Sequence, residues 1–271
     1  MKTILLVGAG NMGFAMLSGW LTSLASTYNF IVLDPAAAPR LATLSSAIKA
    51  STTAFGRPDE LPADLQLDAI VLATKPDSVC SALQSLSKYL QQETVIVSVA
   101  AGLSIDQIRK TTTIDNPTVR VMPNIGAMVG HSASAGFASP NTLQNQLRTV
   151  QTLFDALGRF VWLDNEKEMH TVTAVSGSGP AYFFALCEAM IAAACENGLS
   201  PAVAAELVHT TCSAAGRLLE ETPDSALLRE QVTSPNGTTA AGLAALGQNE
   251  QLQRSISMAI QAARQRSMEM T

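Results

Sequence analysis

The chain has 271 residues, enough for one large domain or two ordinary ones with a sizeable core. Its charged fraction is 14%, 47% of its residues are apolar and its formal net charge is -5. So small a charged fraction predicts burial between subunits, and an acidic balance without a basic footprint argues against nucleic acid as a partner. Cys80, Cys187, Cys195 and Cys212 form no C-x-x-C pair and no cluster with metal-ligand spacing, so structural thiols in a reducing cytoplasm are expected and a metal is not. The first apolar run is too short for a signal peptide. The most apolar window, Ala181–Cys195, is interrupted by Glu188 and falls short of the roughly 20 residues that cross a bilayer.

From residue 3 to about residue 162, β-branched runs alternate with helical stretches. The first run, Ile4–Val7, leads directly into Gly8-Ala9-Gly10-Asn11-Met12-Gly13 and a helical stretch through Trp20. In such a unit Gly8 permits the tight turn, Gly10 lets the backbone approach a pyrophosphate, and Gly13 lets helix and strand pack closely, with the anion at the helix start. The next run, Phe30–Leu33, ends at Asp34, where a carboxylate accepts from the adenosine ribose hydroxyls and favours NADH. NADPH would need Arg40 to neutralise its 2′-phosphate. The other reading of Asp34 is a cap on the turn before Pro35. Ala69–Ala73, Val95–Val99 and Val119–Met122 complete the strands, and the alternation predicts an α/β Rossmann-type domain with a parallel sheet over residues 1–163.

Past Asp164 the strand signal stops, and Ala181–Asn197, Pro201–Glu221 and Gln248–Met268 read as helices of an all-α C-terminal domain over residues 164–271. Ser176-Gly177-Ser178-Gly179-Pro180 reads as a glycine-rich turn opening the long apolar helix, open to close approach by a ligand, the nucleotide domain or a neighbouring subunit. Val232-Thr233-Ser234-Pro235-Asn236-Gly237-Thr238-Thr239 then leads into a helical run through Leu246. A helix start leaves N–H groups unpaired and carries partial positive charge, which suits a compact carboxylate, with the Ser234, Thr238 and Thr239 hydroxyls as further donors. An ordinary Ser/Thr-capped helix has the same spacing. His131, His170 and His209 read as structural rather than catalytic.

Six ordered segments along essentially the whole chain resemble the pyrroline-5-carboxylate reductase family. They are Gly8–Gly13, Thr74-Lys75-Pro76, Ser98-Val99-Ala100-Ala101-Gly102, Arg120-Val121-Met122-Pro123-Asn124, Ser176–Tyr182 and Thr233–Thr239. The resemblance implies hydride transfer from NADPH or NADH to the C=N carbon of 1-pyrroline-5-carboxylate, giving L-proline. It implies that Thr74, Lys75, Pro76, Ala100 and Ala101 line the dinucleotide together with Gly8, Ala9, Gly10, Asn11, Met12, Gly13 and Asp34, and that Met122, Pro123 and Asn124 lie nearer the nicotinamide. It places the substrate carboxylate on Ser234 and the amides of Gly237 and Thr238, with the Thr239 hydroxyl near the ring nitrogen as the catalytic group. It also implies a helical domain that forms dimers, with assembly into larger rings.

Two positions depart from the family pattern. Ile125-Gly126 stands where Thr-Pro is usual, and Asn236-Gly237 where two glycines are usual, asparagine being the residue that best tolerates a left-handed backbone after glycine. A 3-hydroxyacid dehydrogenase of the same two-domain plan needs a lysine in the first long helix of its second domain, and Ala181–Asn197 has none. A non-catalytic dinucleotide-binding scaffold is the alternative from a different class.

Overall fold

The computed structural model describes residues 1–44 and 52–270. Eight strands, β1 (Lys2–Val7), β2 (Tyr28–Leu33), β3 (Thr52–Phe55), β4 (Ala69–Leu72), β5 (Val95–Ser98), β6 (Thr118–Met122), β7 (Ser132–Ala138) and β8 (Gly158–Trp162), form one sheet in the order β3-β2-β1-β4-β5-β6-β7-β8. Helices α1 (Asn11–Ser23), α2 (Ala37–Leu41), α3 (Pro76–Ser85), α4 (Ile105–Arg109) and α5 (Gln144–Asp155) accompany it. Strands β1, β4 and β5 carry side chains that are buried on both faces, which is why they read as unbroken apolar runs in the sequence. On one face Trp20 stacks on Phe30 with ring centroids 5.6 Å apart and meets Phe154 edge-on, its indole N–H donating to the Leu153 carbonyl at 2.6 Å. A second cluster around Leu5, Ile70, Leu83 and Ile96 fills the other face.

The sheet is parallel from β3 to β6, but β7 runs antiparallel to β6 before β8 continues parallel to β7. The five expected strands pair parallel as the alternation predicts, and the antiparallel pairing enters only with β7. Strands β3, β7 and β8 have no counterpart among the expected runs. Strand β7 (SASAGFA) is built of small residues whose place is set by neighbours: Gly136 lies where an added Cβ would come within 2.6 Å of the Phe160 ring.

Beyond the sheet lie α6 (Glu168–Val172), α7 (Gly179–Glu196), α8 (Pro201–Glu221), α9 (Ser225–Gln231), α10 (Thr238–Gly247) and α11 (Gln251–Glu269). Strands end near the expected boundary at residue 163, yet packing divides the chain elsewhere. One compact unit holds Met1–Ser178 and Ala263–Thr271, the other Gly179–Ala262. The expected glycine-rich turn is not a turn either. Thr173–Gly177 forms a π-helical turn, with the Ser178 N–H donating to the Thr173 carbonyl at 2.8 Å, so that helix runs continuously over Glu168–Glu196. Those 29 residues hold an 18-residue window with a mean hydropathy of 1.3, so by length and composition the stretch meets the criterion that the shorter window Ala181–Cys195 fails. Within the second unit, Phe183, Phe184 and Leu207 are all more than half exposed in the single chain.

Candidate active site

The switch in strand order falls between β1 and β4, and the carboxyl ends of β1, β2, β4, β5 and β6 share one edge. On that edge the first unit gathers Gly8–Gly13 after β1, Asp34 after β2, Thr74-Lys75-Pro76 after β4, Ala100-Ala101 after β5, and Met122-Pro123-Asn124 at the end of β6. All the residues expected at the dinucleotide therefore lie along one rim.

Each glycine of the loop has a separate geometric reason. Gly8 has φ of 93°, and a Cβ there would stand 2.9 Å from the Ala73 carbonyl oxygen in the crevice between β1 and β4. A Cβ on Gly13 would overlap the Gly8 carbonyl, so glycine permits the helix to pass directly beneath the turn. Around Gly10 nothing lies within 4 Å of the Cβ position. Gly10 is also the N-cap of α1 and supplies no side-chain acceptor, and the first turn of α1 holds no acid, so no side chain caps this helix start. Nearby, the Thr74 hydroxyl oxygen is buried and has no hydrogen-bond partner among the described residues. An open cradle beside an unpartnered buried hydroxyl fits a phosphate-bearing nucleotide.

Both expected roles for Asp34 bear on its surroundings. One carboxylate oxygen accepts from the Ala9 N–H at 2.6 Å, and the other from the Ala36 N–H at 2.7 Å. The side chain thus caps the following turn and braces the glycine loop at once. Arg40, on α2, donates to the Asn11 side-chain oxygen at 2.9 Å.

Asn124 is nearly buried and fully engaged. Its side-chain oxygen accepts from the N–H groups of Gly126 at 3.0 Å and Ala133 at 3.3 Å, and its amide donates to the Ser176 carbonyl at 3.0 Å. These bonds tie the loop after β6 to the π-helical turn, where Gly177 comes within 3.7 Å of the Met122 sulfur at its Cβ position. They also explain one departure from the family pattern: Gly126 donates an N–H that proline lacks, and a Cβ there would overlap the His131 carbonyl. Ile125 is half exposed on the same loop.

In the second unit, Asn236 has φ of 57°, the left-handed conformation its type tolerates. The turn it makes lets the Gly237 N–H donate to the Ser234 carbonyl at 3.1 Å, which occupies one of the two amides expected to hold the substrate carboxylate. Gly237 is the N-cap of α10 and offers no side-chain cap, so the amides of Thr238 and Thr239 begin the helix without an intrahelical acceptor. A Cβ on Gly237 would overlap the Ser234 hydroxyl, so glycine lets that hydroxyl sit against the turn. An ordinary Ser/Thr cap, the competing reading, is absent from this helix start.

His170 has a structural setting. Its Nδ1 lies 3.0 Å from the Ser267 hydroxyl, and burial first, then the Arg120 and Arg264 guanidinium groups, hold its pKa below the ordinary value, with Glu166 opposing. The buried Arg120 pairs with Glu166 at 2.8 Å, and Glu166 also accepts from the Ile105 N–H at 2.8 Å. Sequence reasoning missed this Arg120–Glu166–His170 group, because only the sheet and the returning C-terminal residues bring it together.

Fold and rim together define the class: a Rossmann-type dinucleotide-binding domain followed by a helical region. Residues 3–102 match the family described as NADP oxidoreductase coenzyme F420-dependent, and residues 166–270 that described as pyrroline-5-carboxylate reductase dimerisation. The chain is 35% identical to the pyrroline-5-carboxylate reductase of Pasteurella multocida over 271 residues, 99% of this chain and 98% of that one. It superposes on a pyrroline-5-carboxylate reductase from Coxiella burnetii with TM-score 0.90 at 27% identity, covering 100% of this chain and 98% of the other. It also superposes on the Plasmodium falciparum pyrroline carboxylate reductase with NADP bound, with TM-score 0.80 at 27% identity, covering 99% and 98%. The chain belongs to the pyrroline-5-carboxylate reductase family.

Proposed function

We propose that the chain reduces the C=N bond of 1-pyrroline-5-carboxylate to L-proline, using a reduced nicotinamide dinucleotide, as a homodimer in the cytoplasm. Family membership and the likeness to an NADP-bound structure support the cofactor, and the region matched to dimerisation, with its exposed apolar side chains, supports self-association. Assembly into larger rings is the further step that family resemblance suggests.

The observation that carries the substrate is the uncapped start of α10. A carboxylate accepts from the Thr238 and Thr239 amides and from the Ser234 hydroxyl, aided by the positive end of the helix. Because the Gly237 amide already serves the turn, its part in our reading is to hold Ser234 in place. The Thr239 hydroxyl, on the same helix start, meets the ring nitrogen.

A reduced dinucleotide held on the rim would supply the hydride. The C=N nitrogen, already protonated in the substrate, takes up the π pair as its carbon accepts that hydride, so the protein's main task is alignment. Gly8–Gly13, Thr74–Pro76 and Ala100-Ala101 hold the dinucleotide, while Met122 and Pro123 line the nicotinamide end and Asn124 fixes their loop from behind. Asp34 supports NADH through the ribose hydroxyls, since each of its oxygens keeps a second lone pair after binding one amide.

Purified protein is expected to oxidise reduced cofactor when given pyrroline-5-carboxylate, followed as loss of reduced-cofactor absorbance. Turnover only with a 3-hydroxyacid and oxidised cofactor would replace this reading with the dehydrogenase. Cofactor binding with neither reaction would leave the scaffold.

A further inference from the structure

One carboxylate oxygen of Glu166 serves two donors from different parts of the rim. Its Oε1 accepts from the Arg120 guanidinium at 2.8 Å and from the Ile105 N–H at 2.8 Å. Arg120 lies on β6, two residues before Met122, with its side chain 5% exposed, and Ile105 opens α4. The Arg120 Nε is buried with no hydrogen-bond partner among the described residues, and Glu166 is the carboxylate that balances this buried charge. Glu166 is itself placed by the turn that leads into α6, where the Glu168 and Met169 N–H groups donate to the Asn165 and Glu166 carbonyls at 3.1 and 3.0 Å.

Between β5 and α4 runs the segment that carries Ala100 and Ala101. Its entry is fixed at Ser98, the register partner of Arg120 on β6, whose hydroxyl accepts from the Ala100 N–H at 3.3 Å. Its middle is backed by Met270: Gly102 has φ of 79°, and a Cβ there would stand 2.8 Å from the Met270 carbonyl oxygen. At its exit the Ser104 hydroxyl accepts from the Gln107 N–H at 3.2 Å, the Gln107 side-chain oxygen accepts from the Ser104 N–H at 2.7 Å, and Glu166 takes the Ile105 N–H. Helix α4 is only five residues long, too short to hold itself, so a fixed acceptor from outside decides where it starts.

We propose that Glu166, held by Arg120, is a positioning residue for the hydride donor: by accepting from the Ile105 N–H it sets the path of Ala100-Ala101, and so how the dinucleotide rests on the rim. This inference rests on the reading that Ala100 and Ala101 line the dinucleotide. Glu166 acts through the loop and not on the reacting atoms. The acceptor, rather than the charge, does the positioning. A carboxamide oxygen can take the same N–H, provided the Arg120 charge is removed with the carboxylate.

The test is titration of the purified full chain with NADH, followed by nicotinamide fluorescence, alongside steady-state kinetics with pyrroline-5-carboxylate. Glu166→Ala removes the acceptor, and its NADH affinity is expected to fall about tenfold with KM for pyrroline-5-carboxylate within about twofold of wild type. Arg120→Met combined with Glu166→Gln keeps an acceptor for Ile105 and strands no charge, so NADH affinity should return to within about threefold of wild type. Arg120→Met combined with Glu166→Leu also strands no charge but offers no acceptor, and should stay about tenfold weak. Should Glu166→Ala fail to fold, the comparison of the two double variants decides alone. Equal NADH affinity in the two double variants, a folded Glu166→Ala protein that binds NADH like wild type, or a KM for pyrroline-5-carboxylate that rises as much as the NADH affinity falls overturns the proposal. Wild-type protein that binds neither NADH nor NADPH removes the dinucleotide reading itself, a failure distinct from wild-type binding that Glu166 does not influence.

Discussion

The glycine loop makes one substitution act in two opposite ways. A Cβ on Gly13 would stand 3.0 Å from the Gly8 carbonyl carbon and 3.3 Å from the Ala73 Cβ, and closer still to the Gly8 oxygen. Carbon atoms in good contact keep about 3.5 Å, and the obstacle is backbone, so helix and turn must separate by at least about 0.5 Å. Overpacking of this kind costs about 1–3 kcal/mol, or a Tm lower by roughly 3–9 °C for a chain of this size. Gly10→Ala meets nothing within 4 Å and sits at an ordinary φ of -62°, so stability should stay within about 0.5 kcal/mol. Its methyl group would nevertheless occupy the cradle assigned to the pyrophosphate, and affinity for the dinucleotide should fall at least about tenfold. Thermal unfolding without ligand and cofactor titration of both variants separate the effects. A Gly13→Ala protein that unfolds like wild type, or a Gly10→Ala protein with undiminished cofactor affinity, would refute the reasoning.

Asn124→Ala should destabilise the first unit by about 2–3 kcal/mol in urea unfolding, because it strands the buried N–H groups of Gly126 and Ala133 and the Ser176 carbonyl. Thr239→Val, nearly the same shape without the hydroxyl, should lower kcat by about tenfold or more with dinucleotide affinity unchanged, as read by steady-state kinetics and titration. His170 also links stability to pH. Its folded pKa is depressed below the ordinary 6.5, so its neutral form is favoured by folding; that contribution is intact above pH 6.5 and is lost as pH falls toward the folded value. The wild-type midpoint should therefore drop faster than that of His170→Gln between about pH 6.5 and 5, and parallel curves would contradict this.

Much of the first unit is legible because its central strands are buried on both faces and so carry mostly Ile, Leu, Val and Ala. The glycine loop announces itself for a related reason, since only glycine meets the three separate demands at Gly8, Gly10 and Gly13. Strand β7 stayed hidden because its small residues have little strand preference, and its pairing depends on Phe160 and Trp162 packing over Gly136. The π-helical turn read as a break because Gly and Ser weaken a helix locally, while the Asn124 bond that anchors it comes from 52 residues away. At the substrate end, the spacing of Ser234 to Thr239 located the helix start, and Asn236 signalled its left-handed turn. Which amide the turn itself consumes was not legible, since that depends on the backbone path from Ser234 to Gly237.

The claim at the centre is that a carboxylate rests on the uncapped amides that open α10, and Thr238→Pro tests it most directly. Proline is tolerated at the first position of a helix but deletes the N–H, whereas Thr238→Ala deletes only the side chain. Steady-state kinetics should show KM for pyrroline-5-carboxylate raised about tenfold or more by the proline and little changed by the alanine, with KM for the reduced dinucleotide within about twofold of wild type in both. A proline variant that keeps the wild-type KM for pyrroline-5-carboxylate would contradict the account.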